Sequence, residues 1–371
     1  MSNPIQAMRF VYDIVKASKD MGKDFSDENI VKLLELTVSD EELRGQFKRF
    51  EKGYAAEDLF QRIYSLLPWV KLITPLGQEQ FPEKSKEDMQ TPDYEVCFEA
   101  GSKTCFSNVL VEAKLIDADK ETFDFPKYKY DVLRQYAEQK KYPLVFALFW
   151  RKNFIWTINS IEIFREKSSS YKISFEDACA NDLSAIFGDY TYLFREKIYR
   201  KSRCQHGEDV ASEHASIHEK YGRTVYEGVS LKDNDFNELD CLEAPLLDTI
   251  FDFKEVSNSV DANRVTELIE ETSSQYAYKL SSVLLGYLLK LFLYEKDTMY
   301  VKQHIVVENA FHIVDVIRQK CGGEKFYLLP YCINNAHTNL IKLQFGNVPH
   351  IFNAYTQTQR DKDIKILCSH N

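Results

Sequence analysis

The sequence predicts an α/β layered unit over the first half of the chain, followed by a mainly helical α+β region. Three observations predict it. Ala56, Leu59, Phe60, Ile63 and Leu67 recur at helical spacing. Residues 94–99 and 104–115 read as two strands around a short polar turn. Residues 144–149, Leu-Val-Phe-Ala-Leu-Phe, form an unbroken apolar run, as expected of a strand buried on both faces. The order helix, strand, hairpin, helix, strand, strand builds one layered unit of about 140 residues.

Taken in order, residues 4–20 form an amphipathic helix with Phe10, Ile14 and Val15 on one side, and residues 27–36 a second helix capped near Ser26. A long helical stretch covers 41–67 with a break at Gly53, and Glu57 lies at the edge of its apolar stripe. Pro68 and Pro75 end that helix and frame a strand at 70–74. A polar loop at 78–90 leads to the hairpin, whose Ala-Gly-Ser-Lys turn uses Gly101 for its freedom at positive φ. A loop at 117–126 precedes a helix at 127–141 with Tyr130, Leu133 and Ala137 on its apolar face, stopped by Pro143. Strands follow at 144–149, 154–158 and 161–164. Ser-Ser-Ser-Tyr at 168–171 marks a change of composition. Beyond it, 208–221 and most of 258–320 read as helix, with Gly322 and Gly323 ending the latter, and 326–329 and 340–345 as strands.

Composition sets the bounds. The chain has 371 residues, 44% of them hydrophobic, enough for a substantial core. A net charge of −10 argues against a uniformly basic surface but leaves room for one basic groove. Eight cysteines show no CxxC pair and several lie in apolar runs, which fits a reducing, cytoplasmic setting. The first residues lack a charged-then-apolar leader pattern. The longest apolar run, 280–294, carries Lys290 and falls short of the roughly 20 residues a membrane span needs, so no membrane partner is expected.

The chemistry concentrates in the hairpin. Asp93 opens its first strand. On the second, Val109, Val111, Ala113 and Leu115 alternate with Leu110, Glu112 and Lys114, so the acid and the lysine share a face. Phosphodiester hydrolysis needs carboxylates to hold a divalent ion and a cation near the attacking water or the developing charge. Asp93 and Glu112 supply the carboxylates if their strands are neighbours, the Ala113 carbonyl adds a ligand, and Lys114 supplies the cation. Each charge also has a plainer reading: Asp93 as a turn residue after a proline, Glu112 and Lys114 as a solvent-facing pair, Glu95 and Glu99 as a solvated face.

Pro92-Asp93 followed by Glu112-Ala113-Lys114 resembles the PD-(D/E)xK nuclease superfamily, over roughly residues 45–165. Gly53-Tyr54-Ala55-Ala56-Glu57 is similar to the Gly-x-x-x-Glu entry helix of archaeal Holliday-junction resolvases and their relatives. The resemblance implies a restriction-endonuclease-like mixed central sheet flanked by helices. It also implies Mg²⁺, with Mn²⁺ able to substitute, bound by Asp93, Glu112 and the Ala113 carbonyl, with Glu57 assisting. Leu133-Arg134-Gln135-Tyr136 resembles the helix that follows the core in many members, where a glutamine touches the site in some branches; Gln135 is the first candidate and Gln139 the second. The implied activity is a metal-dependent nuclease, with endonuclease action and DNA favoured over RNA, in a defence or restriction-like setting. The alternative is a nuclease-fold module that binds nucleic acid or a partner protein without cleaving. Residues 1–44 then form an N-terminal helical segment and 45–168 the nuclease-like domain. Residues 169–371 form a C-terminal domain for target selection, homo-oligomerisation or a partner protein.

Other features have two readings each. Lys127, Lys129, Arg134, Lys140, Lys141, Arg151 and Lys152 form one basic strip and Arg195, Lys197, Arg200, Lys201 and Arg203 another; these are solvated faces or a phosphate-tracking groove. Tyr128, Tyr130, Tyr136 and Tyr142 are core residues or base-stacking platforms. Cys204, His206, His214 and His218 are surface groups or a zinc set, the last two sharing a face on a helix. No GxSxG, glycine-rich phosphate loop or HExxH is present.

Overall fold

A computed structural model describes residues 4–99, 106–189, 191–205, 217–277 and 328–331, less a few short gaps, together with Gly286 and Lys320. The first half is built on a five-stranded mixed sheet. Its strands are β1 (Val70–Pro75), β2 (Tyr94–Glu99), β3 (Phe106–Ile116), β5 (Leu144–Trp150) and β6 (Ile155–Asn159), side by side in that order. Only β3 and β5 run parallel; the other pairs are antiparallel. Between β3 and β5 the chain forms β4 (Thr122–Pro126) and the helix α6 (Lys127–Lys140), the crossover that a parallel pair requires.

Both faces of this sheet are covered, which explains the unbroken apolar run of β5. Val145, Ala147 and Phe149 join Val109, Val111 and Ala113 under the helix α4 (Phe47–Tyr64), whose Ala56, Phe60, Ile63 and Tyr64 are buried there. Phe146, Leu148 and Trp150 join Ile116 on the opposite face, beneath Leu133 of α6. The period-2 alternation read from β3 is therefore the alternation of two cores. The α/β class, with a mixed central sheet flanked by helices, is as expected.

The helical entry differs in detail. Three helices precede α4: α1 (Pro4–Asp20), α2 (Asp27–Thr37) and α3 (Glu41–Gly45). The break in the long stretch falls at Gln46, and α4 runs unbroken through Gly53, which has open space around it. Ser26 caps α2 by accepting from the Asn29 N–H. On α1 the buried side is Ala7, Met8, Val11, Tyr12 and Val15, while Phe10 is exposed. These residues form a small core with Leu34, Val38, Phe47 and Tyr54, so the N-terminal helices dock on the first turns of α4.

The expected loop at 78–90 contains a short helix, α5 (Ser85–Asp88), and the expected loop at 117–126 contains β4. It pairs with β8 (Ser170–Ser174), which also pairs with β7 (Arg165–Glu166), and residues 161–163 form a 3₁₀ turn rather than a strand. The composition change near residue 168 thus falls inside a sheet. The helix α7 (Phe175–Ala180) follows, and the segment after it stays on the first unit: Leu183 N–H donates to Ile158 O, and Trp69 N–H donates to Phe187 O.

The described part of the second half is rich in strand, not helix. It contains β9 (Thr191–Phe194), β10 (Tyr199–Gln205), β11 (Ile217–His218), β12 (Gly222–Ser230), β13 (Asn237–Glu238), β14 (Phe253–Val260), β15 (Val265–Thr272), β16 (Tyr276–Ala277) and β17 (Leu328–Tyr331). One sheet runs β11-β12-β10-β15-β14, with β13 beside β12; β9 lies between β16 and β17 in another. The helix expected over 258–320 therefore does not hold for β14, β15 and β16. On β15 the buried alternate positions are Thr266, Leu268, Glu270 and Thr272, so polar residues mask its period of two. The Gly101 turn, Gly322–Gly323, the strand at 340–345 and most of 278–327 lie outside the described residues. Among the described residues no helix is long and apolar enough to cross a membrane.

Candidate functional site

The hairpin register brings the two acids together. Tyr94 faces Val111 in the antiparallel β2–β3 pair, so one step further Asp93 comes opposite Glu112. There the pairing ends, while β3 continues beside β5 to Ile116. The backbone of Ala113 is released at this divergence, and side chains take it up. Its N–H donates to Asp93 Oδ2 at 2.8 Å, and its carbonyl accepts from Lys114 Nζ at 2.9 Å.

Lys114 ties the constellation. Its Nζ lies 2.6 Å from Glu112 Oε1 and 3.4 Å from Asp93 Oδ2. Asp93 is also fixed by its backbone, whose carbonyl accepts from Leu76 N–H at 2.9 Å. Glu57, on α4, is the third acid. Its Oε2 accepts from Arg9 Nη1 at 3.0 Å.

The electrostatics show a crowded anionic site. Burial, and then the charge of Asp93, pushes Glu112 up to about 7 against the opposing pull of Lys114. Burial and Asp93 likewise push Glu57 up to about 8, with Lys114 and Arg9 working the other way. Burial by itself would lower Lys114, but Asp93 and Glu112 more than reverse this and hold its ammonium above the ordinary lysine range. Tyr54 is raised to about 12 by burial and Glu57. Two carboxylates raised in this way beside Asp93 form a site whose charge one more cation would relieve.

The structure brings Asp93, Glu112, Ala113 and Lys114 together and sets Glu57 beside them. Gln135 and Gln139 are exposed on α6 and have no hydrogen bond to Asp93, Glu112 or Lys114, because the face of α6 turned to the sheet is that of Leu133 and Ala137. The residue of α6 that reaches the site electrically is Lys129, whose charge favours the Glu112 carboxylate. Arg9 had no signal in the sequence: its partners are 48 and 49 residues away, and only the docking of α1 on α4 joins them.

The remaining candidates resolve differently. In the second basic strip, Lys197, Arg200 and Lys201 pair with Glu271, Glu270 and Glu267 of β15, so these charges are already matched across a sheet. Tyr130 packs on Phe146 and Tyr171, and Tyr142 accepts a hydrogen bond from Asn108, whereas Tyr128 is exposed. Of the zinc set, Cys204 is buried against Tyr221 and Leu268. His218 lies on β11, not on a helix, and its Nδ1 accepts from the Lys220 and Tyr221 N–H groups. His206 and His214 lie outside the described residues.

No family model matches the chain, and no curated protein matches it. Among solved structures, the chain is similar to Hjc of Archaeoglobus fulgidus, a Holliday junction resolvase from an archaeal hyperthermophile. The match covers 37% of this chain and 96% of that chain, at 14% identity and a TM-score of 0.28. A TM-score that low lends no weight to a shared activity.

Proposed function

We propose that this protein is a divalent-metal-dependent nuclease that hydrolyses phosphodiester bonds, acting as an endonuclease with DNA favoured over RNA. The observation that carries the reading is the convergence of Asp93, Glu112 and Lys114 where β2 parts from β3, with Nζ 2.6 Å from one carboxylate and 3.4 Å from the other.

The donor set fits Mg²⁺, with Mn²⁺ as a substitute. It offers hard oxygens: two carboxylates and the Ala113 carbonyl. Among the described residues no three His, Cys, Asp or Glu side chains form a metal-holding group. The two carboxylates and the carbonyl suit an ion that takes one or two carboxylates from the protein and leaves its other positions to water and phosphate. When bound, such an ion neutralises phosphate charge and makes a bound water a better nucleophile.

The chain's own residues do the rest. Asp93 and Glu112 hold the ion, and Asp93 is oriented for this by the Ala113 N–H. Glu57 assists from α4. Lys114 turns from the carboxylates toward the scissile phosphate and stabilises its developing charge. Lys129, exposed on the first turn of α6, is placed to meet a neighbouring phosphate.

The test is a cleavage panel of single- and double-stranded DNA and RNA with Mg²⁺ or Mn²⁺. Wild-type protein should cut, and Glu112→Ala or Lys114→Ala should lower the rate at least ~100-fold with an unchanged circular-dichroism spectrum. Cutting that survives both substitutions sinks the site. Binding without cutting by wild-type protein replaces the nuclease reading with that of a binding module.

A further inference from the structure

Glu57 is half-buried, and among the described residues Arg9 is its one hydrogen-bond partner. A half-buried carboxylate with a single protein donor takes its orientation from that donor. Arg9 is itself held as a fork. Its Nη1 goes to Glu57, Nη2 to Asp58 at 3.3 Å, and Nε to Asp13 at 3.2 Å. The guanidinium also lies over the Tyr54 ring, 4.7 Å from its centroid, and over that of Tyr12 at 5.3 Å. Asp58 is bound in addition by Tyr12 Oη, at 2.9 Å, and by Lys16.

Two separable links therefore join α1 to α4. Lys16 and Tyr12 dock the helix on Asp58, one position away from the site. Arg9 alone continues through Glu57 toward Asp93 and Glu112. A helix needed only for packing would be served by the small apolar core and the Asp58 pairs.

We propose that Arg9 is a positioning residue of the acidic site: the N-terminal helix reaches across to set the Glu57 carboxylate for the metal. This rests on the metal-site reading above. Arg9 acts through geometry rather than charge, because a planar fork can engage Glu57 and Asp58 at once and a lysine ammonium cannot do so in a fixed plane.

The experiment measures Mn²⁺ affinity of the full chain by isothermal titration calorimetry, without nucleic acid. The set is wild type, Glu112→Gln, Glu57→Gln, Arg9→Gln, Arg9→Lys, Lys16→Ala and the Arg9→Gln/Glu57→Gln double variant. Supporting ligands of metal sites typically matter by about tenfold or more. Arg9→Gln, Arg9→Lys and Glu57→Gln should each weaken binding about tenfold, and the double variant should bind no more weakly than Glu57→Gln alone. Lys16→Ala, which loosens the same helix without touching Glu57, should stay within about twofold of wild type.

Wild-type affinity or tighter in Arg9→Gln overturns the proposal, as do additive losses in the double variant, wild-type affinity in Arg9→Lys, or an equal loss in Lys16→Ala. If Arg9→Gln does not fold, Arg9→Lys keeps the charge and carries the same decision. Wild-type protein that binds no Mn²⁺, or a Glu112→Gln variant that binds as wild type, refutes the metal site itself and the proposal with it. Loss in Glu112→Gln with none in Arg9→Gln refutes only the role of Arg9.

Discussion

Glu112→Gln should make the metal-free protein more stable at alkaline pH. The Glu112 carboxylate is buried and faces Asp93, which raises it from an ordinary 4.5 to about 7. Below pH 4.5 the carboxyl is protonated in both folded and unfolded chains and imposes nothing. As pH rises from 4.5 to 7, the unfolded chain releases the proton first, so the folded state loses ground. At about 1.4 kcal/mol per tenfold change in proton affinity, the loss above pH 7 reaches about 3 kcal/mol. Glutamine copies the uncharged acid and escapes this loss. Urea unfolding in EDTA should therefore show Glu112→Gln more stable than wild type by about 1–3 kcal/mol at pH 8, with the gap closing by pH 4.5. Saturating Mn²⁺ should then stabilise wild type and not the variant. A variant less stable than wild type at pH 8, or a difference that does not change with pH, would refute the reasoning.

Two further outcomes follow from buried polar contacts. Asp58→Ala removes the acceptor of Tyr12, Arg9 and Lys16; because both cations can regain water, the cost should be about 1–3 kcal/mol by denaturant titration. Trp150 Nε1 donates to Thr157 Oγ1 at 2.9 Å inside the core, so Thr157→Val should cost about 1–3 kcal/mol by leaving a buried indole N–H unpaired, and Thr157→Ser, which keeps the acceptor, should cost less in the same titration.

The sheet and its candidate site were legible where a local pattern carries the long-range information. Alternation on β3 put Glu112 and Lys114 on one face because each face of that strand has its own core. The apolar run of β5 announced a strand covered twice, and the stripe on α4 announced its cover. The second half hid its strands because β15 buries Thr266, Glu270 and Thr272 beside Leu268, while its partner β14 leaves Val256 and Val260 exposed. Pattern reading fails when polar groups face inward and apolar ones outward. A cue was present at the hairpin between them, where Asp261 accepts from the Val265 N–H and Arg264 takes φ of 59°. Arg9 was illegible for another reason: an arginine on an amphipathic helix looks alike whether it meets water or a half-buried glutamate.

The main core does not end with the first sheet. Ile198, Val229, Leu239, Leu247 and Phe251 are buried in the same apolar mass as Phe60, Val96 and Phe149. The second half is thus a wall that keeps water from the interior of the first. A fragment cut near residue 168 would present that interior as a sticky face. Any shorter protein built around the same acids would first have to grow another wall.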